Sequence, residues 1–171
     1  MKPSIWSRLD VLVRKLTPIV LTLLLVVVSV MPLHVPGLSR VVPVLPLIAI
    51  YHWAVYRSEL FPAYAAFGVG ILQDVFTGAP LGINALVFVL VYGIVVSQHR
   101  FLFGKSFAVI WIGFGLVAGA ASAVTWVLIS IWNLAVIELS AVYIQYLFTF
   151  GLFPGVAWLF LRWQRLVLKD V

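Results

Sequence analysis

Eleven Lys or Arg and five Asp or Glu are all the fixed charge in this 171-residue chain, and most of it falls in clusters. Between the clusters lie six apolar runs, roughly 17–33, 41–56, 60–76, 82–97, 107–132 and 139–161. This interruption pattern constrains the fold more than any motif does. The chain is 64% hydrophobic and 9% charged, where a typical soluble domain carries about 25% charged residues. A soluble fold of this length could not hide so much apolar surface, so the class is integral membrane protein. Transmembrane strands would alternate polar and apolar residues. These runs are apolar on every side, which predicts helices. The fold class is therefore an all-α bundle of six transmembrane helices, with residues 1–171 forming a single membrane domain. Runs two to four fall short of the ~20 residues a span needs. They are expected to include polar ends or to sit in a thin, protein-lined region.

The first run follows Lys2, Arg8, Arg14 and Lys15, the layout of a signal peptide or signal anchor. No small-x-small cleavage site follows it, so it is read as a retained span. With the N-terminus inside, the inner side holds those four cations plus Arg57, Arg100, Lys105, Arg162, Arg165 and Lys169, and the outer side holds only Arg40. Ten against one is a strong positive-inside signal, and it predicts cytoplasmic termini. Ile5, Leu9, Leu12, Val13 and Leu16 share one helical face and suit the inner leaflet before the first span. Trp6, Trp53, Trp126, Trp132 and Trp163 lie near run ends, where interfacial aromatics are expected.

Asp74 is the only charged residue between Glu59 and Arg100. It closes the third run in "GILQDVFTGAPLGINAL", residues 70–86. "TGAPLG" reads as a tight outer hairpin. Gly78 suits a left-handed position after a helix end, and Pro80 suits the first turn of the next helix. A carboxylate is badly placed at the end of its own helix. It is well placed to accept the unpaired N–H groups at the start of the following one, with Asn84 adding an amide donor. Capping is the expected role, and docking or transport is the sharper alternative. Under capping, Asp74→Asn should be mild and Asp74→Leu worse.

Residues 43–114, and above all the spacing of Gln73, Asp74, Gly78, Pro80, Leu81, Gly82 and Asn84 after the aromatic "YHWAVYR", resemble the rod shape-determining MreD family. The resemblance implies a non-enzymatic subunit of the bacterial inner membrane, multi-pass, in the machinery of cell elongation and lateral peptidoglycan synthesis. Its implied partners are the bitopic scaffold MreC directly, and with it MreB, the RodA glycosyltransferase and a penicillin-binding transpeptidase.

Span five carries a small-x3-small ladder, Gly115–Gly119–Ala123. Such ladders let helix backbones approach closely, either within the chain or as a face for another protein's helix. The inner-side cations could attract anionic membrane lipids. His52 could titrate or relay a proton, and is more often a residue hydrogen-bonded inside a bundle. Gln145 is read as internal glue, and Pro154 predicts a kink in the last span. Enzyme signatures are absent. The chain has no cysteine, no HExxH, no G-x-S-x-G and no Walker-type loop, and its three histidines are scattered. No cofactor, metal or nucleic-acid partner is expected. The competing function is a small-solute subunit resembling the substrate-capture components of energy-coupling-factor transporters. Those usually dock through an alanine-x3-alanine pattern on the first helix, whereas residues 1–40 here contain no alanine. A lipid-handling groove beside Asp74 is a third reading.

Overall fold

The computed structural model describes residues 5–31 and 42–167, with side chains at 16–31 and 42–166. The loop holding His34, Ser39 and Arg40 lies outside the described residues, as do Lys2, Lys169 and the side chains of Ile5, Trp6, Leu9, Leu12 and Val13. Among the described residues there are seven helices and no strand: α1 (Ile5–Val30), α2 (Leu45–Tyr56), α3 (Ala63–Thr77), α4 (Ile83–Ser97), α5 (His99–Leu102), α6 (Phe107–Asn133) and α7 (Leu139–Val167). Each apolar run carries one long helix, and α5 is a single turn in the loop before α6. The stretch before the first run is not a separate element, because α1 runs unbroken from Ile5.

α2 sits at the centre. Pro46 through Val55 are all buried, against α1, α4, α5, α6 and α7. At 1.5 Å per residue α2 is only about 18 Å long, whereas α6 and α7 reach about 40 Å. A helix wrapped by protein need not match the hydrocarbon thickness, which accounts for the shortness of this run. Tyr51 anchors α2 to α6: its hydroxyl donates to the Ile110 carbonyl at 2.9 Å. Its ring packs edge-on against Phe114 and Phe153, which stack on each other at 4.3 Å. Trp53, expected at an interface, is fully buried in this core. Its indole stacks on Phe160.

Outward faces are apolar too. Leu16, Val20, Leu24 and Val27 make an exposed stripe on α1, and Ile112, Leu116 and Ile131 lie exposed on α6. Contiguous exposed apolar surface on this scale suits a lipid-facing bundle. Phe107–Asn133 and Leu139–Leu166 are long and apolar enough to cross a membrane, and Leu16–Val30, Leu45–Tyr56 and Ile83–Ser97 are shorter apolar helices.

Candidate functional site

The α3–α4 hairpin is shaped by two glycines with positive φ. Gly78 ends α3 in the left-handed region at φ 69°, with its N–H returned to the Asp74 carbonyl. Gly82 precedes α4 at φ 100°. Side chains rarely adopt either conformation. Pro80 is not in the first turn of α4 as expected. It lies in the hairpin before Gly82, and its carbonyl accepts the Ile83 N–H at 3.3 Å.

Asp74 is fully buried and reaches across this turn. Its Oδ2 accepts the Gly82 N–H at 2.8 Å. Its Oδ1 accepts the Asn84 backbone N–H at 3.0 Å and the Asn84 side-chain Nδ2–H at 2.8 Å. These backbone donors belong to the start of α4, which has no hydrogen-bonding cap from its own N-cap residue. Helix starts leave N–H groups unpaired and carry partial positive charge. The carboxylate answers both from the neighbouring helix, and Asp74, Gly82 and Asn84 form one unit. Gly78 and Pro80 shape the turn that brings them together.

One residue of the hairpin's support was not singled out in the sequence. Gly70, one helical turn before Asp74, lets α3 meet α4 backbone to backbone: a Cβ there would fall within the Ala85 main chain. The i to i+4 spacing from Asp74, on the same face, was the available signal. Gln73 ties the hairpin to α1 by accepting the Ser29 hydroxyl at 3.3 Å.

The other candidates fall elsewhere. At Gly115 an added Cβ would lie 2.7 Å from the Phe150 ring, and at Gly119 it would lie 3.6 Å from the Tyr146 ring. The Tyr146 hydroxyl also donates to the Gly115 carbonyl at 3.2 Å. Two rungs of the ladder are thus occupied by α7 of the same chain, and only the Ala123 rung is exposed. His52 is buried among Trp53, Tyr56 and Phe160. The Gln164 side-chain amide of α7 lies beside its ring as a hydrogen-bonding neighbour. Gln145 does tie elements together, donating to the Val42 carbonyl at 2.7 Å. Among the described residues no group of three or more His, Asp or Glu gathers as metal ligands.

Beside the hairpin a cavity of about 560 Å³ opens between α3, α4, α6 and α7. Gln73, Asn84, Thr125, Asn133 and Gln145 line it, together with Gly78 and Pro80. What the hairpin does chemically is hold and present; its carboxylate is spent on three hydrogen bonds.

The family described as rod shape-determining protein MreD matches residues 10–167. No curated protein and no solved structure matches the chain.

Proposed function

The chain belongs to the MreD family of rod shape-determining membrane proteins, and from that premise we propose that it is a non-enzymatic, six-span subunit of the cell-elongation machinery that binds MreC. The family match over nearly the whole chain carries this reading. The chemistry agrees: the one carboxylate in the centre of the sequence is a helix staple, and the long helices present apolar faces rather than a reactive cleft. In this reading both termini, the Arg57 turn and the Arg100–Lys105 loop are cytoplasmic, supported by the ten-to-one partition of cations. MreC would join through a membrane face and support peptidoglycan synthesis along the lateral wall, with MreB, RodA and a penicillin-binding transpeptidase in the same assembly. Because α7 covers Gly115 and Gly119, the MreC helix is assigned to an exposed face instead.

Affinity purification of the tagged chain from mild detergent is expected to retain MreC, and depletion of the chain is expected to turn rods into spheres. Absence of MreC from the purified complex, with the chain itself folded, overturns the partner assignment. Gly115→Leu should injure α6–α7 packing and lower the yield of folded chain, rather than release MreC from a normally folded one.

A further inference from the structure

The connection between α4 and α6 is folded onto the flank of the bundle. Leu102 of α5 is buried and packs beside Gly113, in the second turn of α6. A Cβ added at Gly113 would lie 3.5 Å from the Leu102 side chain and 2.9 Å from the Tyr51 hydroxyl. Around this anchor the surface is aromatic and cationic. Phe101 and Phe103 are 62% and 59% exposed, and Arg100 and Lys105 are exposed beside them. Gly104 turns the chain at φ 78°, and Lys105 returns over α5 with its Nζ 5.3 Å from the centre of the Phe101 ring. His99 stacks on Phe103.

This connection joins two apolar helices, Ile83–Ser97 and Phe107–Asn133. Where such helices meet lipid, the turn between them lies at the boundary of acyl chains and head groups. Exposed phenyl rings are unfavourable in water and suit the acyl side of that boundary. Lysine and arginine stems reach from there to the head-group level. The sequence holds no Asp or Glu between Asp74 and Glu138, so the segment's own charge is wholly positive. Its complement is an anionic head group, since a zwitterionic one brings an ammonium of its own. A shallow void of about 170 Å³ beside Phe101, bounded by Ile94, Gln98, Leu116 and Val117, continues the apolar surface next to the cations.

We propose that the α4–α6 connection is a docking site for an anionic phospholipid of the adjoining leaflet. Arg100 and Lys105 hold its phosphate, and the upper part of an acyl chain lies against Phe101 and the void. The site requires neither MreC nor a particular orientation of the chain in the membrane.

The test places a bimane label on Ser106→Cys in the otherwise cysteine-free full chain. The labelled chain is reconstituted in nanodiscs of equal parts phosphatidylglycerol and phosphatidylethanolamine, with one of the two lipids brominated at a time. Quenching by brominated phosphatidylglycerol is expected to exceed quenching by brominated phosphatidylethanolamine by about threefold or more. Arg100→Gln with Lys105→Gln, both at exposed positions, should abolish that preference, and Lys105→Arg should keep it. Arg162→Gln with Arg165→Gln, on α7, should leave it unchanged. Equal quenching by the two lipids, or none, overturns the proposal. So does a preference that survives loss of Arg100 and Lys105, or one that disappears with the α7 pair, which would trace it to the charge of the whole face. Loss of MreC capture in the Arg100→Gln, Lys105→Gln variant, with no lipid preference in the parent chain, makes the connection a protein contact and also overturns it.

Discussion

Asp74 accepts three hydrogen bonds with two oxygens, and this decides what a substitution there does. The expectation that Asn would be mild assumed that one accepting oxygen is enough. In the structure Oδ1 takes both Asn84 donors and Oδ2 takes the Gly82 N–H. Asparagine can keep the first pair, but it then turns an NH₂ toward the Gly82 N–H, donor against donor. A buried donor left unpaired costs about 1–3 kcal/mol. Asp74→Asn should therefore lower stability by about that amount, and Asp74→Leu, which orphans every donor, by more. Thermal unfolding of the purified chain in detergent checks the order; an Asn variant as stable as the wild type would mean that the Gly82 bond contributes nothing. The residue type and spacing made the capping role legible in sequence. The demand on both oxygens was not, because it depends on how far α4 sits along α3, and Gly70 sets that through its contact with Ala85.

At the level of elements, Pro154 and Trp111 form a compensating pair. Proline at position 154 has no N–H to give the carbonyl four residues earlier, at Phe150. The Trp111 indole N–H of α6 donates to that carbonyl at 3.1 Å, and its ring stacks on Phe150. In an apolar bundle a freed carbonyl must be satisfied by a neighbour. Trp111→Phe retains a ring and removes the donor, with an expected loss of about 0.5–2 kcal/mol. In a Pro154→Ala background the helix can supply its own N–H, and the same Trp111→Phe change should cost less. The double-mutant cycle by detergent-induced unfolding should give a coupling above about 0.5 kcal/mol; strict additivity would show that the bond is idle. The proline was readable as a kink signal. Its remedy was not, because nothing local to α7 names the helix that lies across it.

For the whole molecule, the helix boundaries were largely legible. The run 107–132 holds α6 at Phe107–Asn133, and the run 82–97 holds α4 at Ile83–Ser97. Charges and breakers mark ends, because a helix in an apolar medium stops where the chain can meet water. The central place of α2 was hidden. A segment apolar on all faces suits a lipid environment and a protein interior equally, so its pattern gives no direction. Trp53 misled for the same reason: position near a run end says interface only if the helix reaches one. The side on which each loop lies is open to direct measurement in this cysteine-free chain. Cysteines placed at the exposed Thr77 and Asn133 should react with an impermeant maleimide in intact cells, and those at Ser58 or Ser106 should react only after lysis. Labelling of Ser106 from outside would invert the proposed topology.

The central helix is closed at its amino end by the last one. Gln145 and Thr149 of α7 satisfy the Val42 carbonyl and the Val44 N–H across 103 and 105 residues of sequence. Ribosomes add about 5–20 residues per second, so α2 waits on the order of ten seconds for the groups that complete it. During that interval the nascent bundle is an open shell whose innermost member has unpaired polar backbone. Birth order thus makes the carboxyl-terminal helix the keystone of biogenesis. A message cut short before codon 145 yields a chain with most of its apolar mass but no means of sealing it, a substrate for membrane proteases rather than a weakened protein.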